Sequence, residues 1–278
     1  PVMPMYLFKN RNFLLTLGAS LALGVAMFGA VEYIPTYLQM ALGVSATVAG
    51  LLMIPMMGVM LVVSIVTGRV VSKTGRYKSY VTTGTAIVAL GLFLLSTVNV
   101  ETPTWLFCMY LAVMGAGLGM SMQFLTLIVQ NAFPVSVVGT ATASNNFFRQ
   151  VGATVGASLV GGLFTSRLTS LISERMPQQA LQSSGSHASS SLTPELVASL
   201  PEPVHGIIVN AYNDALIPLF LYLVPLGLVS TLLLFFIRED ALATTLETEP
   251  AVDIARAATG AIPVITPEMA AKDAQALK

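Results

Sequence analysis

A carboxylate inside an apolar run is suited to carry a proton. Its charge costs roughly 2.5–3.5 kcal/mol at the centre of a lipid-crossing helix, so it trades a proton as its surroundings open and close. Glu32, in FGAVEYIPTYLQ, is the carboxylate so placed. In one reading Pro35 breaks the helix and turns Glu32 inward as a titrating, proton-coupling group. In the other it is an interface carboxylate, wetted beside Tyr33 and Tyr37, because a straight helix puts it about 30 Å from Phe13. Both readings stay open on the residues alone.

The stretch ATASNNFFRQVGATVGASLVGG, Ala141 to Gly162, is denser in polar groups. Positions three and four apart share a helix face, so Asn145, Asn146, Arg149 and Gln150 read as one patch. Four polar groups are costly against lipid, which favours a cavity or gate over a passive span. Arg149 either snorkels to water or lines that cavity. Gln123, the amide in GAGLGMSMQFLT, is a further cavity candidate. Gly115 and Gly119, like the Gly152/Gly156 pair, are read as helix-packing positions, since small residues let helices approach closely in lipid. With Gly117 they superficially suggest a nucleotide loop, but no strand-turn-helix unit surrounds them.

A third feature is the basic stretch GRVVSKTGRYK. The chain has 13 Lys and Arg in 278 residues, and Arg69, Lys73, Arg76 and Lys78 all fall within it. Gly68 and Gly75 are expected to turn the chain there. Other chemistry is poorly represented. Cys108 reads as a small buried hydrophobe, and His187 and His205 lack ligand-like spacing for a metal. No nucleophile, base and acid gather, so neither an enzyme nor a cofactor is expected. Net charge is zero, which gives no overall attraction to nucleic acid.

The elements that position these groups follow from composition. Hydrophobic residues make up 55% and charged residues 9%, with a mean hydropathy of +0.79. A soluble domain carries about 25% charged residues, so lipid is the expected solvent. Six runs approach the roughly 20 apolar residues that a crossing helix needs: 13–38, 47–67, 79–98, 104–129, 142–164 and 215–237. They are continuously apolar rather than alternating, which selects helices over a barrel. The fold class is therefore all-α, a polytopic six-helix membrane bundle. Pro55 with Gly58, Pro218 and Pro225 are expected kinks.

Lys9 and Arg11, the four cations of the basic stretch, and Arg238 occupy alternate connections. The positive-inside rule puts both termini and the basic stretch in the cytoplasm. It puts the link 166–214 outside, despite Arg167 and Arg175. Thr169–Met176 and Pro194–Leu200 are possible short surface helices in that link. Residues 1–12 read as a cytoplasmic linker and 238–278 as a disordered cytoplasmic tail. The chain opens on Pro1 with no signal-peptide pattern, so a segment of a longer polypeptide is expected.

With these residues assembled, a resemblance can be stated. GRVVSKTGRYK resembles the loop signature of the major facilitator superfamily: Gly, three residues, Asp, Arg, any residue, Gly, Arg and a further basic residue. Ser72 stands where that signature has its acid, and Lys73 where it has Arg. YLQMALGVSATVAGLLMIP and LIVQNAFPVSVVGTATASNNFFRQVGATVGASLVGGLF are similar to the C-terminal half of the fourteen-span drug:proton antiporter branch. PMYLFKNRNF resembles the linker entering that half. The resemblance implies one half of a transporter in the cytoplasmic membrane, surrounded by the lipid bilayer and paired with an N-terminal half. Such a machine rocks one half against the other and expels small hydrophobic, often cationic substrates as protons enter. Glu32 is not carried over from the family pattern. By the same resemblance Gly68, Arg69, Ser72, Lys73, Gly75, Arg76 and Lys78 form a cytoplasmic gate element, weakened by the missing acid. An exporter of one endogenous metabolite or lipid precursor is the near alternative. A non-transporting membrane scaffold is the more distant one.

Overall fold

The computed structural model describes residues 5–175, 197 and 204–238 of the protein. A 3-10 turn, Met5–Lys9, leads into α1 (Arg11–Val31), whose start is capped by the Asn10 side chain accepting from the Phe13 amide at 3.2 Å. The apolar run then breaks. Glu32 and Tyr33 form a turn, and α2 (Ile34–Leu42) restarts with Pro35 in its first turn, where a missing amide proton costs nothing. Gly43 ends α2 with a left-handed φ of 62°, and Ser45 caps α3 (Ala46–Leu52). A second restart, at Met53 with Pro55 in the first turn, opens α4 (Ile54–Thr74). Four long helices complete the described residues: α5 (Lys78–Leu95), α6 (Thr104–Asn131), α7 (Val135–Arg175) and α8 (Val204–Phe235).

Six segments are long and apolar enough to cross a membrane, and the described residues contain no strand. The helices overrun the expected spans. α4 continues through Gly68 and Ser72 to Thr74, so most of the basic stretch is helical and only Gly75–Tyr77 turns the chain. Gly75 makes that turn at φ 70°, whereas Gly68 lies inside α4 and turns nothing, which corrects the expectation for it. Thr169–Arg175 is the end of α7 rather than a separate surface helix. α8 starts eleven residues before the expected span, at Val204 rather than Ala215, and runs unbroken past Pro218 and Pro225. The expected tail from Glu239 onward and the segment Pro194–Leu200, Val197 apart, lie outside the described residues.

The helices pack in a series, with α4 on α6, α6 on α5, α5 on α8, α8 on α1 and α1 on α7. α4 and α7 end the series and are the most exposed. α7 presents Phe147, Val151, Val155, Leu159 and Leu163, one every fourth residue, and α4 presents Met57, Leu61, Val62, Ile65 and Val66. Close backbone contact fixes two of the seams. Gly152 and Gly156 lie against the carbonyls of Leu21 and Val25, and Gly115 and Gly119 against those of Met56 and Met60. A Cβ at any of the four would overlap a backbone carbonyl, which has no flexible end to move aside.

One end of the bundle is closed by reciprocal bonds. The Asn12 amide donates to the Arg238 carbonyl and accepts from the Arg238 amide, each at 3.1 Å. Lys78 sits 5.5 Å from the Phe235 ring centroid at the same end, a cation–π contact. At the opposite end Arg175 pairs with Asp214 at 2.8 Å, both half-exposed. This pair neutralises one of the two cations that disturbed the charge pattern of the long link.

Gly152→Val and Gly115→Val should each lower the thermal midpoint in detergent, overpacking costing about 1–3 kcal/mol. Gly58, with open space around its Cβ position, should accept Ala with no loss, since Ala favours an exposed helix interior by up to about 1 kcal/mol. Equal midpoints for all three variants would refute the packing role.

Candidate functional site

The polar groups centre on α6, where two consecutive residues serve opposite neighbours. Met122 faces α7, its sulfur 3.6 Å from Arg149 Nη1. Gln123 faces α4, its Oε1 accepting from Ser64 Oγ at 2.7 Å. Neighbouring residues on a helix point about 100° apart, so α6 carries one polar contact to each flank.

On α7 the expected single patch divides. Asn145 is fully buried against α1, where Ser20 Oγ donates to its Oδ1 at 2.7 Å. Its Nδ2 is buried with no partner among the described residues. A buried unpaired donor costs about 1–3 kcal/mol. Asn146 and Arg149 turn the other way, with Arg149 Nη2 donating to Asn146 Oδ1 at 2.9 Å. Arg149 is half-buried and held by an amide and a thioether, with no carboxylate beside it. Gln150 is exposed, its carbonyl accepts from Thr154 Oγ1 at 3.1 Å, and its side chain has no partner among the described residues. The reason is rotational: residues 145 and 146 share the sequence patch but not the helix face.

On the other flank, Gly68 is set against Gln123, whose amide nitrogen and oxygen lie 3.7 and 3.8 Å from the position of a Cβ. The space so left belongs to a groove of about 440 Å³, lined by Ser64, Ile65, Gly68, Arg69, Ser72, Lys73 and Gln123. Ser72, standing where the loop signature has an acid, returns its hydroxyl to the Gly68 carbonyl at 2.9 Å. It therefore makes no bond between elements. Of the remaining basic residues, Arg76 is exposed in the connection and Lys78 opens α5.

Glu32 is elsewhere. It lies in the turn after α1 with its side chain exposed. Gly24 meets the Arg149 carbonyl, and about 12 Å of helical rise separates Gly24 from Glu32. The break is held beside it: Tyr33 Oη donates to the Ala157 carbonyl at 2.8 Å, and Tyr37 Oη to Asn213 Oδ1 at 2.7 Å. Tyr37 also stacks on Phe107 with centroids 5.9 Å apart. Sequence reasoning missed Ser20, Ser64 and Met122, since lone small or apolar residues in an apolar run give no signal. It also missed Asn213 and Asp214, which it placed in a link. Among the described residues no group of three His, Cys, Asp or Glu is gathered to hold a metal.

Comparison with known proteins adds to this geometry. A family model described as Major Facilitator Superfamily matches residues 1–157. An uncharacterised MFS-type transporter of Mycobacterium tuberculosis is 37% identical over 238 residues, covering 86% of this chain and 34% of the relative. The multidrug transporter protein MdtP of Bacillus subtilis is 36% identical over 176 residues, 63% of this chain and 32% of its own length. A tetracycline resistance determinant of Streptomyces rimosus is 30% identical over 159 residues, 57% of this chain and 46% of its own. The chain thus spans between about a third and a half of these curated relatives. A six-helix membrane bundle with a family match over more than half its length settles the kinship: the chain belongs to the major facilitator superfamily.

Proposed function

We propose that the chain is the C-terminal half of a fourteen-span secondary transporter that exports hydrophobic, often cationic drugs in exchange for protons. One observation carries the reading. The exposed flanks of α4 and α7 are apolar at their rims, while Ser64, Gln123, Asn146 and Arg149 gather along the α4–α6–α7 side between them. A passive scaffold has no use for such groups, which are costly against lipid. A half-cavity awaiting a second wall does. The multidrug and tetracycline-resistance relatives support drugs as the cargo, and their greater length is consistent with a partner half upstream. Exposed apolar surface on α4 and α7 then packs against that half as the two rock.

In this reading the basic end faces the cytoplasm of a plasma-membrane protein, by the positive-inside rule. Glu32 lies toward the outer side and takes or releases the coupling proton, while Arg149 holds the cavity wall through Asn146. Basic residues from Gly68 to Lys78 close the cytoplasmic side.

Efflux by the native polypeptide in everted vesicles should stop when a protonophore collapses the gradient. Efflux driven by ATP without a gradient would overturn the reading. Glu32→Gln should flatten the pH dependence of cation efflux, and an unchanged profile would remove Glu32 from coupling. Arg149→Gln, which loses charge-assisted bonds, should cut transport about tenfold. Gln150→Ala should cost far less, because the Gln150 side chain has no partner among the described residues. Equal losses at the two positions would contradict the role given to Arg149.

A further inference from the structure

The groove between α4 and α6 contains hydrogen-bond donors without an acid. Ser64 occupies the oxygen of Gln123, which leaves the amide nitrogen facing the groove beside Arg69 and Lys73. Neither cation has a hydrogen bond or ion pair among the described residues. No described acid is near. Glu32, Glu101, Glu174 and Asp214 all lie at the other end of the bundle, the first two beyond the far ends of α1 and α5, Glu174 in the last turn of α7 and Asp214 early in α8. The negative end of the α4 dipole offsets about half a charge, so most of the positive charge of Arg69 and Lys73 remains. A topology anchor needs only cations on the connection, yet these two lie within the helix.

Their stripe adds the second observation. Ile65, Arg69 and Lys73 follow one another at every fourth residue on one side of α4 and line the groove together. Ile65 is 47% exposed. An exposed apolar side chain is thus followed by two cations. The groove they line holds about 440 Å³, within the roughly 300–1,000 Å³ range of small-molecule sites.

We infer that this groove is a binding site for an amphiphilic oxyanion. A phosphate or carboxylate head sits between Arg69, Lys73 and Gln123 Nε2, and its apolar tail leaves the groove past Ile65. The Arg69 fork takes two oxygens of such a head, and Lys73 adds a point charge. Gly68 keeps the approach open. The occupant is either a soluble amphiphile or an anionic phospholipid, whose shared chemistry is the charged head on an apolar tail. Only where the occupant is cargo does this rest on the transport reading; it then extends the substrate class beyond cations.

The test is a binding titration that needs no gradient, so its outcome is separate from that of the efflux experiment. The native polypeptide carrying this chain, in maltoside detergent, is titrated with dodecyl phosphate and with dodecyltrimethylammonium by calorimetry. Saturable binding of the phosphate alone is expected, weakened about tenfold by Arg69→Gln with Lys73→Gln. Arg11→Gln, which removes an exposed cation on α1 outside the groove, should leave binding unchanged and controls for net charge. Gln123→Leu should weaken binding several-fold and tests the amide independently of charge. No saturable phosphate binding, equal binding of the ammonium amphiphile, or equal affinity in the double variant would overturn the site. In nanodiscs, competition by phosphatidylglycerol but not phosphatidylcholine supports the site with lipid as occupant. Undiminished dodecyl phosphate binding in both supports it with a soluble amphiphile.

Discussion

The structure depends on backbone meeting backbone at four glycines. In lipid the hydrophobic effect does not push helices together, because a tail is as apolar as a leucine; association comes from packing and interhelical bonds. Gly152 and Gly156 bring α7 onto the carbonyls of α1, and Gly115 and Gly119 bring α6 onto those of α4. These seams hold the two outermost helices, which otherwise expose most of their surface. They also place the polar side chains, since Arg149 lies one turn before Gly152 and Gln123 one turn after Gly119. Ångström-scale contact at the glycines is what lets Ser64 reach Gln123 and Ser20 reach Asn145.

The acids among the described residues are segregated along the bundle, and most of the cations lie away from them, Arg167 and the Asp214-paired Arg175 excepted. All four acids among the described residues lie at one end, and Lys9, Arg11, the cations of the basic stretch and Arg238 lie at the other. Arg149 is the inner exception, and it is held by an amide and a sulfur rather than by a counter-charge. Desolvation makes an unpaired ion in a span expensive, so a half-buried guanidinium signals a polar approach at that depth.

Much of this was legible in the sequence, and the boundary is physical. Six apolar runs, their helical state and the glycine pairs follow from length and residue size, which act locally. The break at Pro35 met its expectation, whereas Pro218 and Pro225 lie inside an unbroken α8, so a proline alone does not tell where a helix stops. The direction of Glu32 was not legible, since the turn sets the direction and neighbouring helices hold the turn. Four polar residues near Arg149 looked like one patch because spacing in sequence was read without rotation. Asn145 and Asn146 are adjacent and face different helices. Gln123 and the basic stretch were recognised separately, yet share a groove, because only the α4–α6 seam brings positions 68 and 123 together. Helix at Thr169–Arg175 was expected, though as a separate piece rather than the end of α7, and the early start of α8 was missed because its apolar residues there are interrupted by Gly206, Asn210, Asn213 and Asp214.

The clasp between Asn12 and Arg238 has a mechanical consequence. Each of its two bonds is worth only about 1 kcal/mol, but they join the entry of the first long helix to the exit of the last. A pull on the chain leading into α1 is therefore shared at once with α8, and through α8 with α5. The bundle resists being peeled open helix by helix from its own ends.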